Sequence, residues 1–197
     1  MQAFQPDWLP EPDTPHEQAL SQETGFDGKL LHVQVDRVRL PSGAESVREI
    51  VRHPGSVVIV ALTTRQEVLL VQQYRYATGE YLLELPAGLI DPGEEAMTTA
   101  ARELMEETGH RAGTLQLLAD VFASPGYSTE RTRIVLATEC EPAPHNPDED
   151  EPMDIIRCPL ADVPELLTAG SDRLRNMPAM LGLMWLYRLG YCPTPFT

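Results

Sequence analysis

The sequence predicts one domain of mixed α/β (α+β) class, in which β-strands precede, flank and follow a single central helix. Three observations carry this expectation. Short runs rich in Val, Ile and Leu recur along the chain, separated by Pro, Gly and polar turns. One segment among them changes to a 3.6-residue period. The 197 residues are 42% apolar, enough for one core, and no stretch repeats.

Taken in order, residues 1 to about 26 are rich in Pro, Glu, Asp and Gln, with Trp8, Leu9 and Phe26 as isolated apolar anchors. They predict a flexible arm, ordered only if it docks on something. LHVQVDRVRL (31–40) alternates apolar and polar residues, PSG supplies a turn and AESVREIVR follows, which predicts a hairpin. SVVIVALT (56–63) is almost continuously apolar and predicts a strand buried on both faces. EVLLVQQYRY (67–76) and YLLELPAG (81–88) predict two more strands, the second ended by Pro86 and Gly88.

A helix is expected from about Glu94 to Thr108, with Gly109 as its left-handed cap. Met97, Ala100, Ala101 and Leu104 give it an apolar stripe. TLQLLADVFA and RTRIVLATEC predict strands on either side of the loop SPGYSTE. An acidic, proline-bearing loop (141–153) leads to a last strand, DIIRCPL. DVPELLTAG and RNMPAMLGLMWLYRLG predict two closing helices.

Charge and composition exclude several functions. A net charge of −15 argues against a nucleic-acid groove, which needs Lys and Arg to neutralise phosphates. No run of eighteen apolar residues is present, so no membrane span is expected. The first residues lack a basic n-region and an apolar h-region, so no signal peptide is expected. Cys140, Cys158 and Cys192 show no C-x-x-C spacing and read as reduced thiols of a cytoplasmic protein. The five histidines show no metal-ligand spacing and the serines no G-x-S-x-G elbow, which sets aside zinc and Ser-His-Asp chemistry.

The central helix carries the chemistry. Glu103, Glu106 and Glu107 are related by i+3 and i+4 and share one flank, where like charges repel by a few tenths of a kcal/mol per exposed pair. A solvated acidic face is the plain alternative. A hard divalent cation would turn the same flank into a binding site, since Mg2+ prefers carboxylate, water and phosphate oxygens. The surrounding spacing favours the cation: Gly88, five residues, Glu94, seven residues, Arg102-Glu103-Leu104, one residue, Glu106-Glu107, one residue, Gly109.

This spacing resembles the signature of the Nudix hydrolases, which cleave nucleoside diphosphates linked to another moiety. One position departs: His110 stands where the family usually has an aliphatic residue, which puts local packing in question. The resemblance implies a Nudix-type α/β/α sandwich with a mixed sheet over roughly residues 27 to 190. It implies Mg2+, or Mn2+, held by Glu103 and Glu107, with Glu106 as a nearby ligand or as a hydrogen-bond partner of one. Arg102 would orient a glutamate, and Gly88 would let the chain turn so that the Ala87 carbonyl reaches a metal. Bound cations would also supply the positive field an acidic protein needs to hold an anionic substrate.

LELPAGLIDPGEE, the Arg48-Glu49 pair, Arg75 in QQYRYA, ASPGYSTER and Pro125, sixteen residues beyond Gly109, are similar to the ADP-ribose pyrophosphatase subfamily. That resemblance implies that Arg48, Glu49 and Arg75 contact adenine or phosphates, and that Ser124 and Glu130 contact the ribose side. Ordinary surface ion pairs remain the alternative for each. In the subfamily a loop glutamate activates the attacking water; Glu151 best matches it, with Glu149 as runner-up.

The resemblance also implies a homodimer in which residues 27–55 cross to the partner, ahead of a hydrolase domain at 56–197. The expected reaction is cleavage of ADP-ribose to AMP and ribose 5-phosphate. Hydrolysis of another nucleoside diphosphate sugar or a dinucleotide (GDP-mannose, NADH, FAD) is one alternative, and a non-catalytic ADP-ribose-binding module is another.

Overall fold

The computed structural model describes residues 16–144, 153–168 and 172–192, and they fall into two compact units. The N-terminal unit ends at Arg52 and takes in Gly126–Ser128; the second comprises His53–Pro125 and the residues from Thr129 onward.

The N-terminal unit is a three-stranded antiparallel sheet of β1 (Gln18–Asp27), β2 (His32–Arg39) and β3 (Glu45–Arg52). The hairpin expected from the alternation is β2–β3, in register from His32 opposite Arg52 to Arg39 opposite Glu45. Gly43 (φ 87°) closes its turn, where a side chain would strain the backbone. Strand β1 takes up residues 18–26 of the segment that the sequence expects to be ordered only on docking, and it docks on β2. QALSQETGFD shows almost no burial alternation, and its regularity comes from pairing with β2. The segment Gly126–Ser128 joins this unit through the Val51 N–H, which donates to the Tyr127 carbonyl at 2.8 Å.

The second unit is built on an eight-stranded mixed sheet. Its path runs β11 (Met153–Pro159), β5 (Glu67–Arg75), β4 (Ser56–Thr63), β10 (Arg131–Pro142) and β8 (His110–Arg111). Strand β6 (Glu80–Glu84) pairs with β5, β7 (Ala87–Leu89) with β4, and β9 (Thr114–Phe122) with β10. The central pair, β4 and β10, is parallel, from Ser56 opposite Thr132 to Ala61 opposite Ala137.

Alternation along these two strands builds two cores. Val57, Ile59, Ala61, Val135 and Ala137 face helix α1 (Ala96–Thr108), packing on its Ala100 and Leu104. Val58, Val60, Leu62, Ile134 and Leu136 face the other side, with α2 (Val163–Thr168) and α3 (Met177–Arg188). The result is helix, sheet, helix, and β4 is buried on both faces as its apolar run predicts. Helix α3 starts at the Asn176 cap, whose side chain accepts from the Ala179 N–H at 2.9 Å. No helix among the described residues is long and apolar enough to cross a membrane.

Other differences from the sequence reading have local causes. The strand expected over 81–88 is two strands, because Pro86 has no N–H to donate to a ladder. The Pro86 carbonyl instead accepts from the Ile59 N–H at 2.8 Å. Helix α1 begins at Ala96, since Glu94 closes a turn on the Asp91 carbonyl. Ala101 is exposed; the buried line is Ala100, Leu104 and Thr108. Thr99 is buried off that line, with its hydroxyl donated to Glu94 at 2.9 Å.

Candidate active site

The site forms where α1 passes under β7. Gly109 ends the helix in the left-handed region (φ 65°), its N–H donating to the Met105 carbonyl. His110, where an aliphatic residue was expected, is buried against the Thr108 carbonyl, 2.7 Å from Nδ1. The polar ring is therefore accommodated without disturbing the helix end.

Along the flank, Arg102 is the hub. Nη1 donates to Glu103 at 2.8 Å and to Glu106 at 2.9 Å, while Nε and Nη2 donate to Glu94 at 3.3 and 3.1 Å. Hydrogen bonding to Glu94, with the charge of Glu103 and hydrogen bonds to Glu106 and Glu103 added, raises the arginine pKa further above its usual value against the opposing effect of burial. The same Arg102 hydrogen bond holds the Glu94 carboxyl below the usual carboxylate range. One cation thus offsets the repulsion among three carboxylates.

Glu107 turns the other way and accepts from the Ala87 N–H at 3.0 Å, which ties the helix to β7. Glu103 is 13% exposed and lies against the backbone of Gly88. A Cβ at Gly88 would come within 2.0 Å of the Glu103 carboxyl carbon and one of its oxygens. Gly88 is absent from the left-handed region. Its lack of a side chain leaves room for the close approach of Glu103.

Ala87, Glu94, Arg102, Glu103, Glu106 and Glu107 are brought together in this way. Among the described residues, no three His, Cys, Asp or Glu side chains converge on one point suited to a metal, because Arg102 and the Ala87 N–H engage the carboxylates. The donor chemistry nonetheless suits a hard cation: several carboxylates sit on one flank beside a backbone cradle that a Cβ would fill. Glu106, 48% exposed, has room to change rotamer. Beside the first turn of α1 lies a cavity of about 540 Å³, lined by Pro54, Ile90, Asp91, Glu94, Glu95 and Arg133 among others.

The remaining expected residues are placed as follows. Arg75, on β5, makes a bidentate ion pair with Glu84 (3.0 and 2.7 Å). Ser124 is half-buried in the loop after β9, and Glu130 accepts from the Ser56 hydroxyl at 3.4 Å. Arg48 and Glu49 lie on β3 of the N-terminal unit. Arg48 is bound to Glu17, Ser46 Oγ (3.0 Å) and the Val47 carbonyl (2.9 Å), and Glu49 is exposed. Glu151 and its runner-up Glu149 lie outside the described residues. The sequence reading missed Thr99 and Glu84 as site-supporting groups. The signal for Glu84 was present, as a lone acid inside the apolar run YLLELPAG.

Residues 52–179 match the family model of the NUDIX domain. The chain is 38% identical over 146 residues to the "Methanol dehydrogenase activator" of Bacillus methanolicus, spanning 73% of this chain and 79% of that protein. It is 37% identical over 153 residues to the "ADP-ribose pyrophosphatase" of Bacillus subtilis (strain 168), spanning 77% and 83%. A crystal structure of an "ADP compounds hydrolase" superposes with a TM-score of 0.81 at 29% identity, covering 92% of this chain and all of that one. A matching domain over most of the chain, the same layered fold and the signature glutamates gathered under β7 lead to one assignment: this chain belongs to the Nudix family of hydrolases.

Proposed function

We propose that the protein hydrolyses the pyrophosphate of ADP-ribose to AMP and ribose 5-phosphate, with Mg2+ as cofactor and Mn2+ as a substitute. The observation that carries the reading is the seating of the helix flank. Glu103 fits a gap that only glycine leaves, and Glu107 is fixed to the N–H of Ala87. A relative named ADP-ribose pyrophosphatase supports the choice of substrate.

In this reading Glu103, Glu107 and the Ala87 carbonyl hold the metal, with Glu106 as a further ligand or a partner of one. Bound divalent cations supply positive field to the phosphate oxygens and lower the pKa of nearby water. The chain supplies the rest. Arg102 keeps Glu103 oriented and limits repulsion on the flank. Arg48, Glu49 and Arg75 hold the adenine and phosphates, and Ser124 and Glu130 the ribose side.

Glu151 takes the proton of the attacking water. Glu151→Gln is expected to lower kcat by roughly 10²–10⁴ with little change in Mg2+ affinity. If Glu149→Gln shows that loss instead, the base is Glu149. The functional unit proposed is a homodimer in which residues 27–55 reach the partner. Exposed Phe26, Leu30, Leu31 and Val47 in the N-terminal unit are consistent with a surface covered in that way, and light scattering tests it.

The deciding experiment incubates protein, Mg2+ and ADP-ribose and follows AMP, alongside GDP-mannose, NADH and FAD. AMP release with the highest kcat/KM on ADP-ribose is expected. A tenfold preference for GDP-mannose would overturn the substrate.

A further inference from the structure

Glu84 stands out among the acids of the second unit. It ends β6 at 3% exposure, between buried Leu82 and Leu85. A carboxylate is almost never buried this deeply unless it is paired, because desolvation disfavours the charge. Its partner is Arg75, whose Nε and Nη2 both donate to it. The pair is lopsided: the Arg75 side chain is 46% exposed and that of Glu84 is 4%. A purely structural buried pair has little advantage over apolar residues of similar volume. One with a sunken acid and an open arginine does something an apolar pair cannot: it fixes the direction of a guanidinium at the surface.

The segment that carries Glu84 also reaches the candidate metal site. After Glu84 come buried Leu85 and Pro86, the latter clamped by the Ile59 N–H, and then Ala87, whose N–H holds Glu107. Residues 84–87 therefore fix Arg75 at one end and a signature glutamate at the other. The geometry points to Glu84 as a positioning residue for the phosphate-binding Arg75: by holding the Nε and Nη2 edge it sets the direction in which the guanidinium plane faces diphosphate oxygens. This rests on the proposed nucleotide reading and adds a residue that reading does not contain.

The test is a double-mutant cycle on whichever nucleoside diphosphate compound the wild-type protein cleaves. Glu84→Gln keeps the volume but loses the charge and presents an amide toward the arginine. It is expected to raise KM about 5- to 20-fold, with kcat within about threefold. Arg75→Gln should raise KM at least as much, and Arg75→Gln combined with Glu84→Gln no further, because one acts through the other. Glu84→Asp, which restores the charge at shorter reach, should recover part of the loss, and it carries the test if Glu84→Gln does not fold. Unchanged KM in a folded Glu84 variant, or multiplicative effects in the cycle, overturns the inference. A wild-type protein that cleaves no nucleoside diphosphate compound overturns the nucleotide reading itself, and the wild-type assay alone reveals that.

Discussion

Replacing Gly88 by alanine isolates the seating of Glu103. The new methyl group would lie 2.0 Å from the Glu103 carboxyl carbon and Oε1 and 2.6 Å from Cγ. To reach even a 3.0 Å contact the carboxyl must retreat by about 1 Å, and a 1 Å misplacement of a reacting group costs about 10²-fold in rate. The backbone itself adds little strain, since Gly88 does not occupy the left-handed region. Displacing Glu103 also weakens its bond to Arg102, at about 1.5–3 kcal/mol for a hydrogen bond between charged groups. Gly88→Ala is therefore expected to fold, to melt a few degrees lower and to lose about 10²-fold in kcat on ADP-ribose at saturating Mg2+. Steady-state AMP release and a thermal melt measure both. A folded variant whose kcat stays within twofold of the parent would refute the argument that Glu103 must occupy the space over Gly88.

Three further outcomes follow from the same structure. Gly182→Ala puts a Cβ 2.4 Å from Leu85 Cδ1 and 2.9 Å from Val60 Cγ2. An overpacking cost of about 1–3 kcal/mol should exceed the helix-propensity gain of about 1, so the urea midpoint should fall; a rise counts against the packing described. Burial pushes the Cys140 thiol up to about 11, so its contribution to stability is complete below its unfolded pKa near 8.5 to 9 and is lost as pH rises toward 11. Cys140→Ala should flatten the alkaline decline in stability by an amount on the order of 2 kcal/mol between pH 8.5 and 11, and parallel curves for the two proteins would contradict this. Excess EDTA should reduce AMP release to background and added Mg2+ should restore it, whereas turnover that persists in chelator rules out the metal.

Much of the layered unit was legible because its residues answer to burial. SVVIVALT has no polar position to spare and could only be a strand covered on both faces. The helix end was legible because Gly109 is the residue a left-handed cap favours. Strand β1 was not, since QALSQETGFD has no apolar alternation and owes its order to β2. Ala101 was misread because a helical stripe assigned from spacing is broader than the line of contact that the sheet allows. At the site, spacing alone could place the glutamates on one flank. It could not show that Arg102 bridges two of them to Glu94, or that Gly88 is needed for clearance, because both depend on how the segment from β7 to Glu94 lies against the helix.

Strand β4 has a consequence for how the chain finds its frame. In most sheets a one-residue slip is punished by polarity, since it buries the wet side and exposes the oily one. Here both sides are oily, so that penalty is missing. Volume takes its place: Ala61 and Ala137 lie on the face toward Ala100, while Val60 lies on the face where Gly182 makes room for it. A slipped β4 would press valine and leucine onto the helix that holds the glutamates and leave voids on the opposite face, so misregistration would be felt first as a shift of the acidic flank.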